Sequence, residues 1–373
     1  MELTRRNSCR SSPARSLTWN VAPEDYPHIP QHWFAFPAPD DFDNYLLGFL
    51  YFIFFVVSCL GNGLVIWIFS SAKNLRTPSN MFVVNLAIFD FIMMAKTPIM
   101  IYNSMHSGFA AGHTWCQVFA AMGTISGIGA SATNACIAYD RYATIANPLE
   151  RKMGKTRATI MCLLVWAYAV PWAVLPLTET WGRFVPEGYL TTCTFDYLSD
   201  DIVNKYFVAT LFVFSYVLPV SLIIYFYSRI VGHVVAHERT LREQAKKMNV
   251  ESLRSNSRQK NEAAEIRIAK AAVTICSLFV ASWTPYAVVA LIGSFGNKNL
   301  ITPGVSMIPA CACKAVACID PYVYAIAHPR YRTELQKRIP SLSGCLKEND
   351  EGGDASSQVT GNTENCTSNP QSN

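Results

Sequence analysis

Leu46-Leu-Gly-Phe-Leu-Tyr-Phe-Ile-Phe-Phe-Val-Val-Ser-Cys-Leu-Gly-Asn-Gly-Leu-Val-Ile-Trp-Ile-Phe-Ser-Ser-Ala72 decides the fold. Its 27 residues include no Asp, Glu, Lys, Arg or His. As a helix they run roughly 40 Å, enough to cross a hydrocarbon core of about 30 Å with some tilt. Six further apolar stretches follow, at about 80–104, 115–139, 158–178, 206–228, 270–292 and 304–327. Seven such segments predict an all-α membrane protein, a seven-transmembrane helix bundle with its termini on opposite sides. The composition agrees: of 373 residues, 51% are hydrophobic and 15% charged.

Lysine and arginine set the orientation. Lys73 and Arg76 follow the first span; Arg141, Arg151, Lys152, Lys155 and Arg157 follow the third; Arg330, Arg332, Lys337 and Arg338 follow the seventh. The loop between the second and third spans has no such residue. The basic loops are therefore cytoplasmic and the N-terminus is outside. The net charge of +5 belongs to those loops, where it reads as orientation and lipid contact. No nucleic-acid motif accompanies it, so nucleic acid is not an expected partner.

Four regions result. Residues 1–44 form an extracellular segment without periodicity and without the short apolar run of a cleaved leader. Residues 45–327 hold the spans. Residues 328–340, beginning His328-Pro-Arg-Tyr-Arg332, read as a short amphipathic helix lying on the membrane. Residues 341–373 are rich in Ser, Thr, Asn, Glu and Gly and read as a disordered cytoplasmic tail.

Several polar residues sit where polarity is costly. Lys314 lies near the middle of the seventh span, where a charged amine costs on the order of 3 kcal/mol. It must pair with an acid, stay neutral, or be consumed in a covalent bond. Lysine suits a Schiff base with an aldehyde, because burial favours its nucleophilic neutral form. The second span holds Asp90 and Lys96, about 240° apart on a continuous helix and so on different faces. The bland reading of Lys96 is a side chain that snorkels to the outer headgroups. Asn62 in the first span predicts an interhelical hydrogen bond. Pro219 and Pro285 predict kinks in the fifth and sixth spans. Of the twelve cysteines, Cys9, Cys116 and Cys193 are outside, and the last two suggest a disulfide. Cys345, beyond the amphipathic helix, is a candidate for palmitoylation.

In combination these features are more specific. Gly61-Asn62, Leu86-Ala-x-x-Asp90, Cys116 with Cys193, Asp140-Arg141-Tyr142, Trp283-x-Pro285 and Asp320-Pro321-x-x-Tyr324 occur in order on successive spans. Over roughly residues 45–340 the chain resembles the rhodopsin-like G-protein-coupled receptors. Ser282 and Asp320 stand where the family more often has Cys and Asn. Lys314, six residues before Asp320, matches the retinal-binding lysine of opsins. The segments Gln244-Ala-Lys-Lys-Met-Asn-Val-Glu-Ser-Leu-Arg254 and His328-Pro-Arg-Tyr-Arg332 are similar to arthropod visual opsins.

The resemblance implies a light-activated receptor and not an enzyme. It implies 11-cis-retinal or a hydroxylated derivative bound covalently at Lys314. The implied partners are a Gq-type heterotrimeric G protein acting on phospholipase C, arrestin and a receptor kinase, in the multi-pass plasma membrane of a photoreceptor rhabdomere. It makes Asp140, Arg141, Tyr142, Trp283, Pro285, Asp320, Pro321 and Tyr324 the activation switches. It makes Asn62 and Asp90 part of a polar core or sodium site.

Wavelength rests on charge near the Schiff base: an anion favours the protonated, visible-absorbing form, and a cation opposes it. Phe119 stands where vertebrate visual opsins place the counterion carboxylate. Glu187 matches the invertebrate counterion position. Lys96 matches a lysine of insect ultraviolet opsins, so an ultraviolet pigment is expected. The alternatives are a blue-sensitive opsin with Lys96 snorkelled away, and a retinal photoisomerase.

Overall fold

A computed structural model describes residues 15–146, 153–248 and 256–340. The first span is α1, Asp41–Ser71. The second is two helices, α2, Pro78–Ala95, and α3, Thr97–Met105, joined at Lys96. The third is α4, Gly112–Ala146, and the fourth α5, Lys155–Leu177. The fifth comprises α6, Ile202–Phe212, a π-helical turn at Val213–Val217, and α7, Leu218–Met248. The sixth is α8, Asn256–Phe295, and the seventh α9, Pro303–Ala327. A short helix, α10, Pro329–Arg338, follows, N-capped by His328, whose ring accepts the Tyr331 N–H.

Among the described residues, six spans are long and apolar enough to cross a membrane by length and composition, and α4 is not one of them. The reason is its position. It packs against α2, α5, α7, α8 and both strands of a hairpin described below, so it meets protein more than lipid. Close packing favours small residues over bulky apolar ones, and α4 is correspondingly rich in Gly, Ala, Ser and Thr.

Prolines shape the bundle through the carbonyls they leave free. A helical proline cannot donate to the carbonyl four residues before it. Pro219 thereby releases the Ser215 carbonyl, which accepts the Ser131 hydroxyl of α4 at 2.9 Å. Pro321 releases the Ala317 carbonyl, which accepts Asn62 Nδ2 at 2.8 Å and Ser58 Oγ at 2.9 Å. Gly61 makes that approach possible: a Cβ there would lie 2.7 Å from Pro321 Cγ. In the second span, Pro98 sits in the first turn of α3, and the helix breaks where one continuous helix was expected.

The outer end is capped. β1, Phe184–Glu187, and β2, Thr192–Phe195, form an antiparallel hairpin with Glu187 opposite Thr192. Its turn includes Gly188 at φ +63°. The Cys116–Cys193 disulfide, Cα–Cα 5.3 Å, fastens β2 to α4. From Arg15 onward the N-terminal segment is folded. Two 3₁₀ turns, Pro23–His28 and Gln31–Ala35, and a bridge between Ser16 and Pro37 lay it over the hairpin. Trp33 is fully buried and donates Nε1–H to the Pro186 carbonyl at 3.1 Å.

Candidate functional site

Beneath the hairpin lies a mainly apolar cavity bounded by α2, α4, the fifth span, α8 and α9. Its empty volume is about 1020 Å³, a figure that includes the open solvent at its mouth. Lys314, Lys96, Phe119 and Glu187 all line it.

Lys314 is 6% exposed, and its Nζ donates to the Ala310 carbonyl of its own helix at 3.0 Å. Lys96 is 5% exposed, so its amine turns inward and does not reach the outer headgroups. Its Nζ lies 4.1 Å from the centroid of the Phe119 ring, and Lys314 Nζ lies 6.0 Å from the same centroid. The two amines therefore share one aromatic ring. Among the described residues, no ion pair joins either lysine to Glu187.

Glu187 is buried at the end of β1. Its Oε2 accepts the Tyr197 hydroxyl at 3.1 Å, and both oxygens lie 3.3 Å from the Tyr286 hydroxyl. Tyr286 in turn lies 2.6 Å from Thr194 Oγ1. Burial pushes the Glu187 carboxyl above the usual carboxylate range; Lys314, the two tyrosine bonds and Lys96 act the other way. Tyr197 and Tyr286 bond to the Glu187 carboxylate, and the sequence reading missed both. Tyr286 lies one turn beyond Trp283, a spacing that points to the same helix face.

Trp283 forms the floor. It packs on Gly127, where a Cβ would lie 2.5 Å from its ring, and it stacks near Phe279 at 5.7 Å. Pro285 lies two residues on, and close by the Cys313 thiol donates to the Ser282 carbonyl at 3.3 Å. Below Trp283 a smaller cavity is lined by both Asp90 and Asp320. The two carboxyl groups interact with each other, and among the described residues no other group serves Asp90 Oδ2 or Asp320 Oδ1.

At the cytoplasmic end Asp140 and Arg141 are both buried. Arg141 Nη2 lies 2.5 Å from Asp140 Oδ2, and Ser79 Oγ donates to Asp140 Oδ1 at 3.1 Å. The Tyr142 ring lies 5.6 Å from Phe226. Tyr324 falls within α9, but its side chain lies outside the described ones, as do Cys9, Cys345, the tail, and the side chains of 244–254.

The sequence pattern of the family described as 7 transmembrane receptor (rhodopsin family) matches residues 61–324. The chain belongs to that family, whose members are receptors and not enzymes. Within it, it is an arthropod visual opsin similar to the insect ultraviolet-sensitive ones. It is 62% identical to the ultraviolet-sensitive opsin of Apis mellifera over 89% of this chain and 90% of that one. It is 60% identical to Opsin Rh3 of Drosophila melanogaster over 94% and 91%. A crystal structure of squid rhodopsin is similar in fold, with a TM-score of 0.79 and 32% identity over 94% of this chain and 98% of that one.

The cavity fits a retinal-type ligand by its own chemistry. It is mainly apolar, and it holds in Lys314 a primary amine that hydrogen-bonds to its own helix.

Proposed function

We propose that this chain is an ultraviolet-sensitive visual pigment that carries 11-cis-retinal, or a hydroxylated derivative, covalently at Lys314 Nζ, and that signals through a Gq-type G protein to phospholipase C. The bound ligand supplies the light absorption and a light-driven change of shape. The chain's own residues determine the wavelength and relay the signal.

One observation supports the ultraviolet reading above the others: Lys96 Nζ and Lys314 Nζ flank the same Phe119 ring. A cation in a low-dielectric site disfavours a second positive charge nearby. Lys96 thus opposes a proton at Lys314 Nζ. Glu187 is the one acid among the cavity-lining residues. Burial favours its neutral form, which weakens its support for such a proton.

Signalling uses the elements beneath. Trp283 closes the cavity floor and lies two residues before Pro285, the hinge of this reading. Displacement of its ring is relayed to the hinge, and the cytoplasmic part of α8 swings outward. The Asp140–Arg141 pair holds the resting state, and its release lets Arg141 engage the G protein. A ligand can drive this only through contacts that differ between the two states. Arrestin, a receptor kinase and the rhabdomere membrane complete the reading.

A light-triggered phospholipase C assay in cells expressing the chain tests the signalling half. A light-dependent response that disappears in Lys314→Ala is expected. Retinal binding and photosensitivity that survive Lys314→Ala would refute the attachment site, and no response in the intact chain would favour a photoisomerase.

A further inference from the structure

We propose that Gly123 determines spectral class by forming, with Phe119, the seat that holds the Lys96 ammonium inside the cavity. The wavelength consequence rests on the ultraviolet reading above; the seat itself does not.

The seat begins with the break in the second span. α2 ends at Ala95, and Lys96 takes φ −78°, ψ −16° as the joint before α3. The joint aims its side chain at α4. There the ammonium lies 4.1 Å from the Phe119 centroid, within reach of the attraction between a cation and a ring face. Gly123 follows Phe119 by one helical turn, on the same side of α4. A Cβ built on Gly123 collides with Lys96 Nζ, and lies 3.4 Å from Cε and 3.9 Å from Cδ. The last three atoms of the lysine thus run past a bare Cα.

Nothing in the backbone requires glycine at that position. Gly123 is inside α4 and is not among the positive-φ residues. A glycine inside a helix is less favourable than an alanine. The three nearest atoms that such a Cβ would meet all belong to the lysine head. It is the free end of a flexible side chain, and among the described residues no ion pair holds it. Adding a methyl group at 123 therefore displaces the ammonium and leaves the helices in register.

The test compares the intact chain with Gly123→Ala, Lys96→Ala and the double variant, by two readouts. The first is the absorption spectrum after reconstitution with 11-cis-retinal. Gly123→Ala is expected to shift the maximum from the ultraviolet toward the visible, in the direction of Lys96→Ala, and to add nothing in the double variant. The second is the melting temperature of the retinal-free opsin. Gly123→Ala is expected to lower it when Lys96 is present and to raise it, or leave it unchanged, once Lys96→Ala has vacated the space.

An unshifted Gly123→Ala beside a shifted Lys96→Ala would overturn the seat and leave the ultraviolet reading intact. If Lys96→Ala itself does not shift the spectrum, the tuning role of Lys96 fails, and the melting temperatures alone decide the seat. Equal changes in the two backgrounds would overturn it. If Gly123→Ala gives no folded protein, rescue by Lys96→Ala supports the seat and absence of rescue contradicts it.

Discussion

Asn62 Nδ2 of α1 donates to the Ala317 carbonyl of α9 at 2.8 Å, the carbonyl that Pro321 cannot serve. Two motifs more than two hundred residues apart thereby become one joint. Each has a physical reason: the proline frees an acceptor, the asparagine fills it, and Gly61 lets the helices close.

The joint's strength is measurable. Asn62→Ala removes this donor, although Ser58 still serves the carbonyl. A loss of about 0.5–1.5 kcal/mol is expected, the net range for a hydrogen bond whose acceptor keeps another partner. It should appear as a lower melting temperature of purified opsin. Gly61→Ala should also lower it, by forcing α1 away from Pro321. An unchanged melting temperature in Asn62→Ala would show that the bond contributes nothing net.

Trp33 should control access to the ligand. Its indole N–H holds the Pro186 carbonyl, next to Glu187. Trp33→Phe keeps a ring and removes that bond, at a cost of about 1 kcal/mol, or roughly fivefold in local opening. Hydroxylamine should then bleach the dark pigment several times faster. Equal rates in the two proteins would place the seal elsewhere.

His328 should make stability depend on acidity. Burial, with Arg330 and Arg141 nearby, lowers its pKa from 6.5 to about 4. The sign follows from proton counting. Between those values the unfolded chain binds a proton that the folded one does not, so stability falls as pH drops through that window. The full difference is about 3 kcal/mol. His328→Asn keeps an N-cap acceptor for α10 and removes the titration. Melting temperatures recorded from pH 7 to pH 4 should fall less steeply in that variant; parallel curves would be the contrary result.

Much of this was legible in the sequence. Long apolar runs located the spans, because no water satisfies polar groups inside a bilayer. Asn62, Asp90, Asp320 and Lys314 stood out because each is costly where it lies. The N-terminal cap did not stand out, since 3₁₀ turns carry no long periodicity and Trp33 is buried by a hairpin distant in sequence. The hairpin strands are four residues each, too short for an alternation to register. The break at Lys96 was hidden because Pro98 is compatible with either a kinked or a divided helix. Tyr197 and Tyr286 meet Glu187 only through tertiary packing.

The central claim is that Lys96 keeps Lys314 Nζ from holding a proton. Its most direct test is the absorption spectrum of the purified chain and of Lys96→Glu, each reconstituted with 11-cis-retinal. An ultraviolet maximum is predicted for the intact chain and a visible one for Lys96→Glu. A visible maximum in the intact chain, or an ultraviolet maximum that Lys96→Glu leaves in place, would contradict it.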